Sequence, residues 1–262
     1  MNKTKDSSNK QLINALTRGL IILETILEKD VIGITEMSKI LGVNKSSAYR
    51  LISTLEEREY VEQDPVSTKY KLGLKFISFG EKSLASLEIR EISKPYLKDL
   101  TSITKEASHL CILFQSQALF INQESSPERL SVNTYIGMFE PIYCSAVGKA
   151  LLSHLPANEQ EKIIKTLEIK AFTPRTITDL DVLRHELKKT LQRGYAVDDE
   201  ELSTGLRCIA APIFNHKGEV IASIGISGPV TRIRTDNLNE YVVTVVNTAY
   251  EISKKTGFRA LI

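Results

Sequence analysis

Apolar residues recur at helical spacing over residues 11–28, where Ile13, Leu16, Leu20, Leu23 and Leu27 fall on one stripe. That stripe is expected to pack beneath the segment that follows. Thr35 is a candidate N-cap for a second helix, which carries Met37, Ile40 and Leu41 and stops at Gly42. Asn44 can cap a third helix over residues 45–58, in which Ala48, Leu51, Ile52 and Leu55 sit at i, i+3, i+4 and i+7. Two extended runs, 60–63 and 69–72, are joined by a turn-rich stretch around Asp64 and Pro65. The order helix, helix, helix, hairpin over residues 12–72 reads as a winged helix-turn-helix.

Residues 73–89 return to helical spacing. Leu74, Ile77, Leu84 and Leu87 share a face, with Phe76 and Phe79 beside it. This is one more core helix, or a linker helix that also dimerises. Beyond it strands alternate with helices. Helices are predicted over 92–103 (Pro95 in its first turn), 146–152 (capped by Ser145), 158–167, 180–193 and 235–256. Strands are predicted over 106–115, 118–123, 130–135, 195–198, 206–214 and 220–227. The fold class expected is therefore α+β in two domains: residues 1–72 a DNA-binding unit, 73–90 a linker helix, and 91–262 a second domain of antiparallel strands with flanking helices.

The composition of the 262 residues, 42% hydrophobic and 25% charged, is that of a globular protein. A net charge of +2 argues against a charge-driven nucleic-acid coat. It leaves room for a local basic surface, to which Lys3, Lys5, Lys10, Arg18, Lys39 and Lys71 also contribute. The polar stretch 1–9 is expected to be a tail. Three widely spaced cysteines suggest neither a disulfide framework nor a zinc site, and no run is apolar enough to span a bilayer, so a cytoplasmic protein is expected.

Candidate chemistry lies in two places. Opposite the buried stripe, the third helix presents Lys45, Ser46, Ser47, Tyr49, Arg50 and Ser53, and Lys69 flanks the hairpin turn. Hydroxyls and cations near a helix N-terminus suit phosphate and base-edge contact in a major groove. The other place is a candidate small-molecule pocket. The helix start at Ala146 and Val147 offers free N–H groups to an anion. Ser223, Gly225 and Ser227 share one strand face, and Leu206 and Cys208 share another. Within the acidic run 198–201, Asp198 can turn inward, and Gly137 and Met138 supply part of a lid. No catalytic residues, metal ligands or cofactor motif are evident. His109 and Cys111 share a strand face without metal-helix spacing.

At these residues the chain resembles the IclR family of bacterial transcriptional regulators. The matching strings are LTRGLIILETI (16–26), ITEMSKILGVNKSSAYRLISTLEEREYVEQD (34–64), YKLGLKFISFG (70–80), CSAVGKALLSHLP (144–156), RGYAVDDEEL (193–202), GLRCIAAPI (205–213) and ISGPVTRI (226–233). The resemblance implies a winged helix-turn-helix, a linker helix and a GAF-like effector-binding domain. It implies double-stranded operator DNA as partner, a small organic acid or aromatic-pathway metabolite as effector, and a homodimer or dimer of dimers. The cleft it implies is lined at Ala146, Val147, Asp198, Leu206, Cys208 and Ser227. Gly225 departs from the serine of many relatives, which implies a lost hydroxyl and extra room. The competing reading is a stand-alone metabolite-binding or enzymatic GAF-like protein with a vestigial DNA-binding unit.

Overall fold

The first helix, α1 (Asn14–Lys29), begins the part of the chain that the computed structural model describes, residues 13–259. The expected polar tail, Lys3, Lys5, Lys10 and Gln11 lie outside the described residues. After α1 come α2 (Ile34–Ile40), α3 (Lys45–Glu57), the antiparallel pair β1 (Val61–Gln63) and β2 (Tyr70–Leu72), and α4 (Lys75–Ala85). Ile32 extends the pair by bridging to Tyr70. The core of this unit gathers Ile22, Ile26, Met37, Ala48, Ile52, Val61 and Tyr70.

Two expectations fail here. Of the stripe expected to pack under the second and third helices only Leu23 does so: Ile13, Leu16, Leu20 and Leu27 are exposed, Leu16 at 62% and Leu27 at 67%. The buried face is instead Ile22, Thr25 and Ile26. α1 has two apolar faces, and the pattern marked the one the unit leaves uncovered. Thr35 is not the cap of α2, because Ile34 packs against the core and draws the helix start back to Gly33, which supplies no side-chain bond.

The chain divides between Leu84 and Ala85. The helix expected over 73–89 is interrupted by Leu87 in extended geometry, after which α5 (Glu88–Thr104) begins. Pro95 therefore lies well inside α5 rather than in its first turn, where its missing N–H leaves one carbonyl a turn earlier without its usual donor. The second unit continues with β3 (Ala107–Phe114), β4 (Gln117–Glu124), β5 (Phe139–Pro141), α6 (Ala146–Ser153), α7 (Ala157–Thr166), α8 (Leu180–Arg193), β6 (Ala196–Asp199), β7 (Leu206–Phe214), β8 (Val220–Pro229) and α9 (Leu238–Lys255). The six strands form one antiparallel sheet in the order β5-β4-β3-β8-β7-β6.

The strand expected over 130–135 is absent. Side chains hold that segment instead: Arg232 donates to the Leu130 carbonyl at 2.8 Å, and the Thr134 hydroxyl donates to Gln123. The edge strand is the later and shorter β5. Side chains on one sheet face, among them Cys111, Phe120, Ala196 and Ala210, pack with Ala146, Val147, Ala150 and Leu151 of α6. The helices α5 and α9 also contact the sheet and each other.

Candidate DNA-reading surface and effector site

Asn44 fixes the start of α3. Its Oδ1 accepts from the Ser47 N–H and from the Ser46 hydroxyl, both at 2.8 Å. Ala48 and Ile52 are buried, so the helix is anchored by one face. Lys45, Ser46, Tyr49 and Arg50 are exposed on the other, with Ser47 and Ser53 half-buried. The hairpin turn is held by Asp64, whose Oδ1 accepts from the Val66 and Ser67 N–H groups and from the Ser67 hydroxyl. Those bonds hold its carboxyl below the usual carboxylate range. Exposed Lys69 follows directly before β2. The structure thus sets Lys45, Ser46, Tyr49 and Arg50 on the exposed side of one anchored helix.

In the C-terminal unit the strand register sets Ala107, Ser227, Cys208 and Asp198 in one row across β3, β8, β7 and β6. The neighbouring row on that face is His109, Gly225, Ala210 and Ala196. Ser145 caps α6 by accepting from the Gly148 N–H at 3.1 Å. A Cβ on Gly148 would lie 2.5 Å from Ile142 Cα, so only glycine allows this approach. The Ala146 and Val147 amides, in the first turn, have no intrahelical acceptor. The Ser223 hydroxyl donates to the Val147 carbonyl at 3.1 Å and ties β8 to α6. Gly137 and Met138 are clamped to β4: Gly137 N–H donates to Phe120 O, and Phe120 N–H to Met138 O. Leu206 is half-buried at the start of β7.

Gly225 provides no extra room. A Cβ there would meet Ile209 O at 2.6 Å and His109 Nε2 at 3.2 Å, because the β7 backbone and the imidazole close on it. A cavity of about 750 Å³ lies nearby, lined in part by Met138, Glu140, Ile142, Lys170, Phe172 and Leu202. Of the residues predicted to bind effector it includes Met138, but not Ala146, Val147, Asp198, Cys208 or Ser227.

The acidic run resolves into separate roles. Asp198 is buried and accepts from the Glu201 and Leu202 N–H groups. Burial nevertheless raises its carboxyl to about 6. Asp199 binds Arg207 and Arg175, and Glu200 accepts from the Gly205 N–H. Glu201 pairs with Lys149, a fully buried lysine that also donates to Val197 O at 2.6 Å. Burial drives the Glu201 carboxyl upward against the pull of Lys149. Glu140 is raised to about 7 by burial and by the nearby Asp198. The Cys208 thiol is pushed up by burial, which keeps it protonated.

Sequence reasoning did not pick out Lys149, Glu201 or Glu140, and it noted His109 only as sharing a strand face with Cys111. One signal was present: Lys149 is the lone charge in an otherwise apolar and small-residue helix, and a buried charge needs a partner. Among the described residues no group of three or more His, Cys, Asp or Glu is placed to hold a metal ion, and no helix is long and apolar enough to cross a membrane.

Two family profiles match. The IclR helix-turn-helix domain covers residues 15–65, and the bacterial transcriptional regulator IclR C-terminal domain covers residues 81–254. The chain is 35% identical to the HTH-type transcriptional regulator KdgR of Escherichia coli (strain K12), over 90% of each chain. It is 32% identical to the transcriptional repressor IclR of the same organism, over 94% of this chain and 90% of that one. The crystal structure of the Thermotoga maritima IclR superposes with a TM-score of 0.75 at 32% identity, covering 94% of this chain and 99% of that one. The fold expected from the sequence, a helix-turn-helix unit followed by a mixed helix-and-sheet domain, is thereby confirmed. The relatives are transcriptional regulators, and the chain belongs to the IclR family of bacterial transcriptional regulators.

Proposed function

We propose that this regulator is a dimeric repressor whose hold on operator DNA is set by a small carboxylate bound at the start of α6. The observation that carries the effector reading is the first turn of α6. Ser145 takes one amide, the Ala146 and Val147 amides have no intrahelical acceptor, and the helix dipole favours negative charge there. Ser227 and Cys208, paired across β8 and β7, supply the polar end of the site. The carboxyls of half-buried Glu140 and buried Asp198 support a second reading, a neutral polyhydroxylated effector, since they accept hydroxyls and repel anions.

Calorimetric titration with carboxylates and their matching amides separates the two. Acid binding well above amide supports the anion site, and equal affinity removes it. Ala146 is packed into the core, so a larger residue there would test packing as much as binding.

The DNA reading rests on Lys45, Ser46, Ser47, Tyr49, Arg50, Ser53 and Lys69. The dimer rests on two uncovered apolar faces of the N-terminal unit: Leu16, Leu20 and Leu27 on α1, and Leu74, Ile77 and Phe79 at α4, which buries no residue of its own. An effector that favours one dimer arrangement would set the spacing of the two α3 helices, and so operator affinity.

A further inference from the structure

The sheet face beneath α6 carries an imidazole that the reading above leaves unused. His109 stands on β3 opposite Gly225, is 2% exposed, and leans on Phe120 with ring centroids 5.0 Å apart. Its Nδ1 is buried without a hydrogen-bond partner. Burial pulls the ring down to about 4, so it is neutral near pH 7. A neutral imidazole presents one donor and one acceptor nitrogen, and leaving either unpaired in an interior is costly. Such a group in a native fold calls for a partner.

Its surroundings locate that partner. Apart from Cys208 and Asp198, the rows holding His109 and Ser227 are small, with Ala107, Gly225, Ala210 and Ala196 on the same face. Ser223, bonded to Val147 of the first turn of α6, lies two residues along β8 from Gly225. Two residues of strand span roughly 7 Å. The imidazole therefore sits within a small molecule's length of the α6 amides. Gly225 keeps it there, since a side chain at that position would press on both the ring and the Ile209 carbonyl.

We infer that His109 is the specificity-determining residue of the effector site, and that its unpaired nitrogen hydrogen-bonds a hydroxyl on the effector's carbon skeleton. The effector class is then a hydroxycarboxylate rather than a plain alkyl acid. This rests on the carboxylate reading of α6. A hydroxyl both donates and accepts, so it satisfies either imidazole tautomer. The neutral ring adds no charge, so it selects for the hydroxyl and leaves the anion to the helix.

The test uses the full chain and two probe pairs matched in carbon number, glycerate with propionate and gluconate with hexanoate. In calorimetry the parent binds at least one hydroxy acid about tenfold more tightly than its deoxy partner, the discrimination expected of one buried hydrogen bond. His109→Leu binds both members of the pair alike, and without probe it melts above the parent because an unpaired polar group is gone. His109→Asn, whose amide reaches the Nδ1 position, keeps most of the discrimination. In nitrogen-15 spectra of the unaltered protein, a His109 ring nitrogen shifts with the hydroxy acid and not with the deoxy acid, a readout that needs no variant to fold. Discrimination that survives in His109→Leu overturns the inference and leaves the carboxylate site standing. A ring already hydrogen-bonded before any probe is added identifies a buried water as the partner and also overturns it. If no carboxylate of either kind binds the parent, the α6 reading fails and takes this inference with it.

Discussion

Replacing Lys149 by Met should destabilise the C-terminal unit by about 2–4 kcal/mol. Lys149 is fully buried and donates to both Glu201 and the Val197 carbonyl. Met keeps the length and removes the charge. Glu201, whose side chain is 10% exposed and whose Oε2 already has no partner, then loses its counter-ion. Removing one member of a buried pair costs about 3–5 kcal/mol. Glu201 can also escape by taking a proton. Burial has already raised the Glu201 carboxyl to about 7, so near pH 7.5 taking a proton costs less than about 1 kcal/mol and draws the loss toward the lower end of that range. The orphaned Val197 carbonyl adds on the order of 1 kcal/mol.

Glu201→Leu alone should be comparably harmful, since it strands the lysine. The double variant Lys149→Met with Glu201→Leu should return to within about 1 kcal/mol of the parent, because no charge is left unpaired. Urea unfolding of the full chain, with hydrogen exchange of the α6 and β6 amides to follow this unit separately, measures all four proteins. A Lys149→Met protein within about 1 kcal/mol of the parent would refute the argument. So would a double variant as unstable as the two singles combined.

Arg50→Ala should weaken operator binding by about 1–3 kcal/mol if the guanidinium reads a base edge. If it meets phosphate, the change should appear as a shallower salt dependence; unaltered mobility shifts at moderate salt would remove α3 as the reader. The uncovered faces of α1 and α4 should make the chain a dimer by light scattering, and Phe79→Asp should shift it toward monomer; a parent that stays monomeric at micromolar concentration with and without DNA ends that proposal. Glu140 has a folded pKa raised from 4.5 to about 7. The folded state thus holds the proton more tightly than the unfolded chain, so this group's stabilisation is full below about pH 4.5 and is lost as pH rises through about 7. Glu140→Gln should flatten that fall, gaining up to about 3 kcal/mol on the parent by pH 8, and parallel pH profiles for the two proteins would contradict it.

The local features were readable from sequence, and the long-range ones were not. Asn44 caps α3 as its position suggested, since a cap needs only residues three apart. The hairpin follows equally from its turn chemistry. The 130–135 segment misled because alternation signals an extended chain and not a pairing partner; its bonds go to Gln123 and Arg232. The break at Leu87 was hidden because the apolar spacing of Leu84 and Leu87 continues across it. Asp198, Asp199, Glu200 and Glu201 are four adjacent carboxylates, yet one holds a turn, one binds two arginines, one accepts a backbone amide and one meets a lysine 52 residues away. Composition could only describe them together, as a charged loop. His109 was seen as a strand-face residue, but that its ring lacks a partner depends on three strands at once.

The two edges of the six-stranded sheet are its shortest strands. β5 has three residues and ends at Pro141, which has no N–H to give; β6 has four and ends on two aspartates. Among the described residues, neither edge offers a foreign strand more than a few rungs of backbone hydrogen bonds. Copies of this chain are therefore guarded against zipping edge to edge into fibrils, and the dimer proposed above would draw on helical side chains, whose contacts can be broken and remade. Pro141→Val in a lengthened β5 would remove that safeguard, and its first symptom would be aggregation during expression, before any loss of DNA binding could be measured.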